Sequence, residues 1–115
     1  MIYIDDAYNP FSYRSRTGYV VKCYMSHLFS IPMDGHDISG LHKFAESIGL
    51  AEGWFQGNAS YPHYDVSRVK RAKAIKAGAI PVTVKEGAKL RLEFKRLKEK
   101  PLSLRVRQLP WEAKE

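Results

Sequence analysis

Hydrophobic and polar positions alternate along this chain with the periods of strands and helices. Short apolar, β-favouring segments predict strands at residues 1–4, 19–25, 53–57, 79–84 and 102–107. The predicted order of elements is strand, strand, helix, strand, helix, strand, helix, strand. Because strands that alternate with helices form parallel sheets, we expect an α/β fold in a single domain. We expect its small, mostly parallel sheet to have about five strands and to carry three helices.

Three segments have the apolar spacing and end signals of helices. The first has Asp37 as a plausible N-cap, and it buries one face made of Leu41, Phe44, Ala45 and Ile48 before Gly49 closes it. The second is predicted from Asp65, as its N-cap, to about residue 77. Residues 7–18 are rich in turn formers, so we expect a loop there.

The third helix is predicted from the capping box of Thr83 and Glu86 to about residue 100. A strand is the alternative, because Leu90, Leu92 and Phe94 also alternate. Pro81 cannot donate a ladder hydrogen bond, which indicates that strand 79–84 lies at an edge of the sheet. We expect residues 1–84 to form the α/β core and residues 85–115 to form a basic helix–strand extension packed on it.

Positive charge is confined to the second half of the chain. Residues 66–115 hold 15 Lys and Arg against 5 Asp and Glu, a net of +10, whereas residues 1–65 hold 4 against 7, a net of −3. A positive lobe attracts phosphates, and carboxylates beside it are able to hold a metal ion. This asymmetry predicts an anionic ligand, such as a nucleotide or nucleic acid, or an acidic protein partner.

The remaining composition narrows the class of protein. A single cysteine, Cys23, excludes an internal disulfide and is expected to be a buried hydrophobe. No apolar segment approaches the length of a membrane span, and Asp5 and Asp6 interrupt the N-terminus too early for a secretory signal peptide. We therefore expect a cytoplasmic protein that does not bind a membrane.

Carboxylates follow the first predicted strand and open the second helix. In an open α/β sheet these ends meet at one rim, so Asp5, Asp6 and Asp65 are candidate ligands for Mg²⁺ or Mn²⁺. His63 and Asp65 are the candidate catalytic residues, and Gln56 is a candidate substrate contact at the end of strand 53–57.

Each of these residues also has a simple structural explanation. Asp65 directly before a helix is typical of a cap, Asp5 and Asp6 are compatible with a solvated turn, and His63 with an exposed loop. His42 borders the buried face of the first helix, and core packing explains it. His27 and His36 have no recognisable partner spacing, and no zinc pattern is present.

The second helix carries an unusual density of cations. The candidate phosphate-binding residues there are Arg68, Lys70 and Arg71, near the end where the helix dipole also favours anions. Arg105 and Arg107, on the polar face of the last predicted strand, extend the same surface. The alternative is a solvated helix whose cations serve solubility. Aromatic residues are interleaved with Arg14 and Arg16, and exposed rings of this kind stack on nucleic-acid bases.

The combined motifs resemble a small family of bacterial and bacteriophage proteins that is described only as a domain of unknown function. The resemblance covers about residues 1–84, and it rests on Met-Ile-Tyr-Ile-Asp-Asp, Leu-His-Lys-Phe-Ala, Trp-Phe-Gln-Gly, His-Tyr-Asp, Lys-Arg-x-x-Ala and Gly-Ala in this order. It implies a bacterial or phage cytoplasmic protein and supplies no catalytic residue.

Together these features predict a phosphate-handling protein. The first hypothesis is a metal-assisted phosphodiesterase or nuclease that acts on nucleic acid or a small nucleotide. The alternative is a non-catalytic phage-type accessory protein that binds a nucleotide signal, a nucleic acid or an acidic host protein. The sequence does not determine the oligomeric state.

Overall fold

The structure, a computed structural model, describes residues 1–98. Its elements in chain order are β1 (Ile2–Ile4), β2 (Asn9–Arg14), β3 (Val20–Ser30), α1 (Gly35–Ser47), β4 (Phe55–Gln56), β5 (His63–Val66), α2 (Arg68–Lys76), β6 (Ile80–Pro81) and α3 (Val84–Lys98). A single 3₁₀ turn, Glu52–Trp54, precedes β4. Within these residues three helices accompany a six-stranded sheet, which confirms the α/β class.

The prediction of a mostly parallel sheet is wrong. The strand order is β4-β5-β3-β1-β6, with β2 paired to β3, and among the described strands only the β1–β6 pairing is parallel. The helix-linked strands β3 and β4 do run in the same direction, and so do β5 and β6. They are not neighbours, however, because the β4–β5 hairpin inserts β5 beside β3. Antiparallel contacts therefore replace the parallel ones that the order of elements suggested.

The predicted loop at residues 7–18 instead contains a strand. β2 pairs with the first half of β3, from Asn9 opposite Met25 to Arg14 opposite Val20. β1 and β5 pair only with the second half of β3, so β2 and residues 20–25 extend beyond the main sheet as a two-stranded ribbon. We call this segment, residues 9–25, the ribbon.

The two faces of the main sheet have different partners. On one face Ile4, Leu28 and Tyr64 belong to the buried core, which also contains the apolar face of α1 and Ala74 of α2. The opposite face carries Tyr3, Phe29, His27, Asp65 and His63, because alternate residues of a strand point to opposite sides.

Helix α3 covers one end of this second face. The Arg91 guanidinium lies 3.7 Å from the centre of the Tyr61 ring and 4.7 Å from that of Phe29. Gly87 lets α3 lie close to the Phe29 ring, because a Cβ atom at position 87 would be only 3.2 Å from that ring. The rest of this face, between α3 and the ribbon, carries His27, His63 and Asp65.

The ends of the helices correct two predicted caps, and they confirm one predicted closing glycine and one predicted capping box. Helix α1 begins at Gly35, with Asp34 rather than Asp37 before it, and Ser67 rather than Asp65 caps α2 by accepting from the Lys70 N–H. Gly49, at φ +80°, closes α1 as predicted. The Thr83–Glu86 capping box is also confirmed.

Helix α3 itself is confirmed, and its alternative as a strand is wrong. β6 lies at the edge of the sheet, as Pro81 indicated. The predicted strand 102–107, with Arg105 and Arg107, lies outside the described residues. No helix among residues 1–98 is long and apolar enough to cross a bilayer.

Candidate functional site

Two histidines and an aspartate meet at the centre of the open face. The antiparallel register of β3 and β5 places His27 opposite Asp65. His63 lies two residues before Asp65 in β5, so both side chains emerge on the side of the sheet that His27 occupies. Among the described residues these three form the group of His, Cys, Asp or Glu side chains that has the geometry to hold a metal ion.

The distances within this group match the spacing of metal ligands. Asp65 Oδ1 lies 3.4 Å from His63 Nε2 and 3.9 Å from His27 Nε2. One ligand atom from each residue lies within 4.8 Å of the others. In a tetrahedral site with bonds of 2.0–2.2 Å the ligand atoms are about 3.4 Å apart, so small side-chain movements would complete the shell.

Hydrogen bonds select which nitrogen of each histidine faces Asp65. His27 Nδ1 lies 2.8 Å from Asp5 Oδ2, and His63 Nδ1 lies 2.9 Å from the Tyr61 carbonyl oxygen. An ionised carboxylate and a carbonyl are acceptors only, so both Nδ1 atoms carry the proton and donate it. In the neutral rings the Nε2 lone pairs are then free, which is the arrangement that metal-binding histidines require.

Asp5 is the buried support of this arrangement, with 1% of its surface exposed. Its Oδ1 accepts the backbone N–H groups of Ala7 and His27, and its Oδ2 accepts from the His27 ring. Burial raises the pKa of Asp5, but the hydrogen bonds from His27 and Ala7 together lower it below its ordinary value. Asp5 is therefore an ionised carboxylate that fixes the His27 ring.

The interaction between Asp5 and His27 has the opposite effect on the pKa of His27, which is raised. The hydrogen bond to Asp5 raises the pKa of His27, while burial and the charge of Arg91 oppose that rise. A proton on Nε2 and a metal ion compete for one lone pair. A cation held by His27 Nε2 would therefore bind less tightly as the pH falls.

Two members of this group, His27 and Asp65, line a cleft of about 320 Å³. Its other lining residues include Asn9 and Phe11 of the ribbon, together with Trp54 and Gln56. Gln56 pairs with His63 across β4 and β5, so this predicted substrate contact does lie beside the predicted catalytic residues. A cleft of this size accommodates a group as large as one nucleotide.

The three predicted carboxylate ligands do not gather around one point. Asp5 is directed at His27, whereas Asp6 Oδ1 accepts the backbone N–H of Val84 at the start of α3. Asp65 faces the histidines from the other side of the His27 ring. The structure thus brings Asp5 and Asp65 to opposite nitrogens of one imidazole and turns Asp6 away.

The predicted phosphate-binding residues of α2 lie at the rear of this site. Arg71 Nε donates to the backbone carbonyl of Asp5 at 2.8 Å, and Arg68 and Arg71 both lie over the Tyr8 ring. Lys70 instead donates to the Ile48 carbonyl beyond α1. Among the described side chains, no lysine or arginine forms an ion pair with a carboxylate, so their charge is not neutralised locally.

Sequence reasoning did not find His27 or the positioning role of Asp5. His27 lies 36 positions before His63, and only the register of β3 and β5 brings the two rings to a centroid distance of 4.8 Å. One signal was present: His63 and Asp65 are two residues apart, and such spacing in a strand places both on one face. Reading Asp65 as a helix cap concealed it.

Comparison with known proteins identifies one family to which this chain is similar. No curated protein and no solved structure matches the chain. The match to the family covers residues 2–93, which is longer than the resemblance over residues 1–84 that the sequence motifs indicated. It therefore includes His27, His63 and Asp65, and also Arg91 on α3. The chain belongs to the family described as "Protein of unknown function (DUF4031)".

Proposed function

We propose that this protein is a metal-dependent phosphodiesterase whose ion is held by His27, His63 and Asp65. The observation that supports the proposal is the convergence of both Nε2 atoms on Asp65 Oδ1, at 3.9 and 3.4 Å, beside a cleft that His27 and Asp65 line. The hydrogen bonds that fix both rings from behind are the outer-shell partners typical of metal-binding histidines.

Of the two ions expected from the sequence, the donor set favours Mn²⁺ over Mg²⁺, and it is also suited to Zn²⁺. Two imidazoles and one carboxylate suit borderline cations such as Mn²⁺ or Zn²⁺, whereas Mg²⁺ prefers an all-oxygen shell. Three protein ligands leave positions open for a phosphoryl oxygen and a water molecule. We therefore propose Mn²⁺ or Zn²⁺ bound by two histidines and Asp65, in place of the all-carboxylate Mg²⁺ or Mn²⁺ site that the sequence suggested.

Hydrolysis of a phosphodiester at this site needs no other co-reactant. The oxygen of water forms a bond to phosphorus, and one phosphorus–oxygen ester bond breaks. The water gives up one proton, and the departing oxygen takes one up. When bound, the ion polarises the phosphoryl oxygen and activates the water. Asp65, whose side chain is 32% exposed, has a second oxygen to accept the water's proton.

The positive half of the chain supports phosphate as the reacting group. Residues 66–115 carry a net charge of +10, and Arg68 and Arg71 carry no carboxylate partner among the described side chains. The charge of Arg91, on α3, acts on the same site, because it partly opposes the rise in the pKa of His27 that the hydrogen bond to Asp5 causes. These cations favour the approach of an anionic substrate to the cleft.

The test is turnover of bis(p-nitrophenyl) phosphate and of a labelled oligonucleotide by metal-free protein supplied with Mn²⁺, Zn²⁺ or Mg²⁺. We expect turnover with Mn²⁺ or Zn²⁺, and a loss on the order of 100-fold or more in His63→Ala and Asp65→Asn. His42→Ala is the matched control, because His42 bonds Tyr64 on the opposite face of the sheet.

Two results would contradict the proposal. Turnover that survives both substitutions would place the chemistry elsewhere. Saturable binding of nucleotide or nucleic acid without product at any metal concentration would favour the alternative, a non-catalytic binding protein.

A further inference from the structure

We propose that the ribbon is a stacking platform for unpaired bases, and that the substrate of the cleft is therefore single-stranded nucleic acid. This inference rests on the proposed phosphodiesterase function and names its substrate class. It starts from a two-stranded element that extends beyond the main sheet and presents aromatic rings to solvent.

The ribbon and the site share one face. Phe11 is opposite Cys23 and Tyr13 is opposite Val21, so both rings lie on the side of β3 that carries residues 21, 23, 25 and 27. His27 is thus the inner end of the row that the two rings begin. Phe11 also lines the cleft together with His27 and Asp65, so the aromatic surface is continuous with the proposed reaction centre.

The rings are available for stacking. Phe11 and Tyr13 are 52% and 50% exposed, their centroids are 6.1 Å apart, and both project from a strand whose six residues are all exposed. Trp54, 43% exposed, also lines the cleft. Rings in this arrangement offer successive flat surfaces to successive bases, the device by which many proteins hold single strands.

The charge of this region fits the same ligand. Residues 7–33 contain Arg14, Arg16 and Lys22 and no aspartate or glutamate. Lys22, and Arg14 within β2, belong to the face of the ribbon opposite the aromatic row, and Arg16 is at its turn. The ribbon as a whole is therefore positively charged. This positive charge favours the approach of a polyanion to the ribbon, whichever face the bases occupy.

The geometry discriminates between single strands and the other phosphodiesters. In a duplex the faces of the bases are already stacked on neighbouring base pairs, so they are not available to Phe11 and Tyr13, which disfavours a duplex. Tyr13 lies beyond the cleft that Phe11 lines, so a mononucleotide in the cleft would leave it unused. A strand of several nucleotides uses both the cleft and the platform.

Binding to the metal-free full chain in EDTA tests the platform separately from catalysis. The probes are a fluorescein-labelled 15-mer of thymidine and a labelled duplex of the same length, followed by fluorescence anisotropy. We expect the single strand to bind at least tenfold more tightly than the duplex. Phe11→Ala and Tyr13→Ala should each weaken its binding roughly 5- to 100-fold, the range for loss of one stacked base.

Tyr24→Ala is the matched control, because Tyr24 is a similarly exposed ring on the opposite face of the same ribbon. It should change the affinity less than twofold, and Tyr13→Trp should retain binding. Equal losses in Tyr13→Ala and Tyr24→Ala, or equal affinity for duplex, would overturn the inference. So would a change in oligomeric state measured by light scattering in the ribbon variants, which would assign the ribbon to contact between copies.

The two proposals fail in different ways. Single-strand binding that depends on Phe11 and Tyr13, without turnover under any metal, would retain the platform and reject the phosphodiesterase. Metal-dependent turnover that is lost in His63→Ala, with no preference for single strands, would retain the phosphodiesterase and reject the platform.

Discussion

The Asp5 carboxylate determines which nitrogen of His27 faces the cleft. It accepts three hydrogen bonds, and the one from the His27 ring places the proton on Nδ1. Nothing in the sequence around Asp5 indicates this role, since its partner is 22 positions away. A buried carboxylate behind a metal-facing imidazole acts through that imidazole and need not touch the substrate.

Asp5→Asn should weaken cation binding by about 10- to 100-fold. An amide has one acceptor oxygen where the carboxylate had two. If that oxygen accepts the backbone N–H groups of Ala7 and His27, the amide NH₂ group faces His27 Nδ1, and the ring can retain a bond only by moving its proton to Nε2. If the oxygen turns to the ring instead, the NH₂ group faces those two backbone N–H donors. The measurement is titration calorimetry with Mn²⁺ or Zn²⁺ on the metal-free protein.

The control is Asp6→Asn, whose amide oxygen can still accept the Val84 N–H. Its cation affinity should stay within about twofold of the parent protein. An equal loss in both variants would instead support a metal site built from the carboxylates of Asp5 and Asp6.

The Asp5–His27 pair also predicts how the stability of the metal-free protein depends on pH. The pKa of Asp5 is lowered on folding, so its contribution is complete above the unfolded value of about 3.9 and is lost as the pH falls through the folded value. The pKa of His27 is raised, so its contribution is complete below about 6.5 and is lost as the pH rises through the folded value.

The free energy of unfolding in EDTA should therefore contain a maximum between about pH 4 and pH 6.5 from this pair. Urea denaturation at a series of pH values measures it. In His27→Gln the decline on the alkaline side should become shallower. An unchanged alkaline slope in that variant would show that another group is responsible.

At the scale of single elements, the local signals of the sequence were reliable where one face is buried. Gly49 and the Thr83–Glu86 box end and begin helices as predicted, because both patterns act through neighbouring backbone groups. β2 was missed because all six of its residues are exposed, so no apolar alternation distinguishes it from a loop. The ribbon was therefore recognised only from the structure.

The start of α2 provides a test of one corrected cap. Ser67→Ala removes the acceptor for the Lys70 N–H and should lower the free energy of unfolding by about 1 kcal/mol. Ser67→Asn keeps an acceptor and should cost only a few tenths of that amount. Thermal or urea denaturation compares the three proteins in EDTA, and an equal loss in both variants would contradict the capping role of the hydroxyl.

At the scale of the whole molecule, the sequence indicated the class of fold and not its topology. The alternation of strands and helices was right, and the strands that flank each crossover helix do run in the same direction. Their neighbours in the sheet are set by the β4–β5 hairpin and by the long strand β3, which pairs with β1, β2 and β5. Such pairings depend on contacts distant in sequence, which a local pattern does not contain.

The proposed ion should stabilise the whole domain, because its ligands come from β3 and β5. At 100 times the dissociation constant, a cation that binds only the folded state adds about 2.7 kcal/mol to the free energy of unfolding. Thermal denaturation with and without Mn²⁺ or Zn²⁺ should show this increase in the parent protein and none in His63→Ala.

His42→Ala should lower the melting temperature by loss of the Tyr64 hydrogen bond and should still respond to the ion. An ion-induced increase that persists in His63→Ala would show that the cation binds elsewhere on the chain.

β3 and β5 pair over only three residues, from Ser26 opposite Val66 to Leu28 opposite Tyr64. The register of this short pairing decides whether the protein folds with the histidines and Asp65 on one face. A slip of one position would exchange the sides of the sheet, so that a leucine would occupy the cleft and the imidazole would be forced among the core side chains. A mispaired molecule would thus be unable to chelate. Occupancy by the ion would then distinguish correctly assembled copies from misassembled ones.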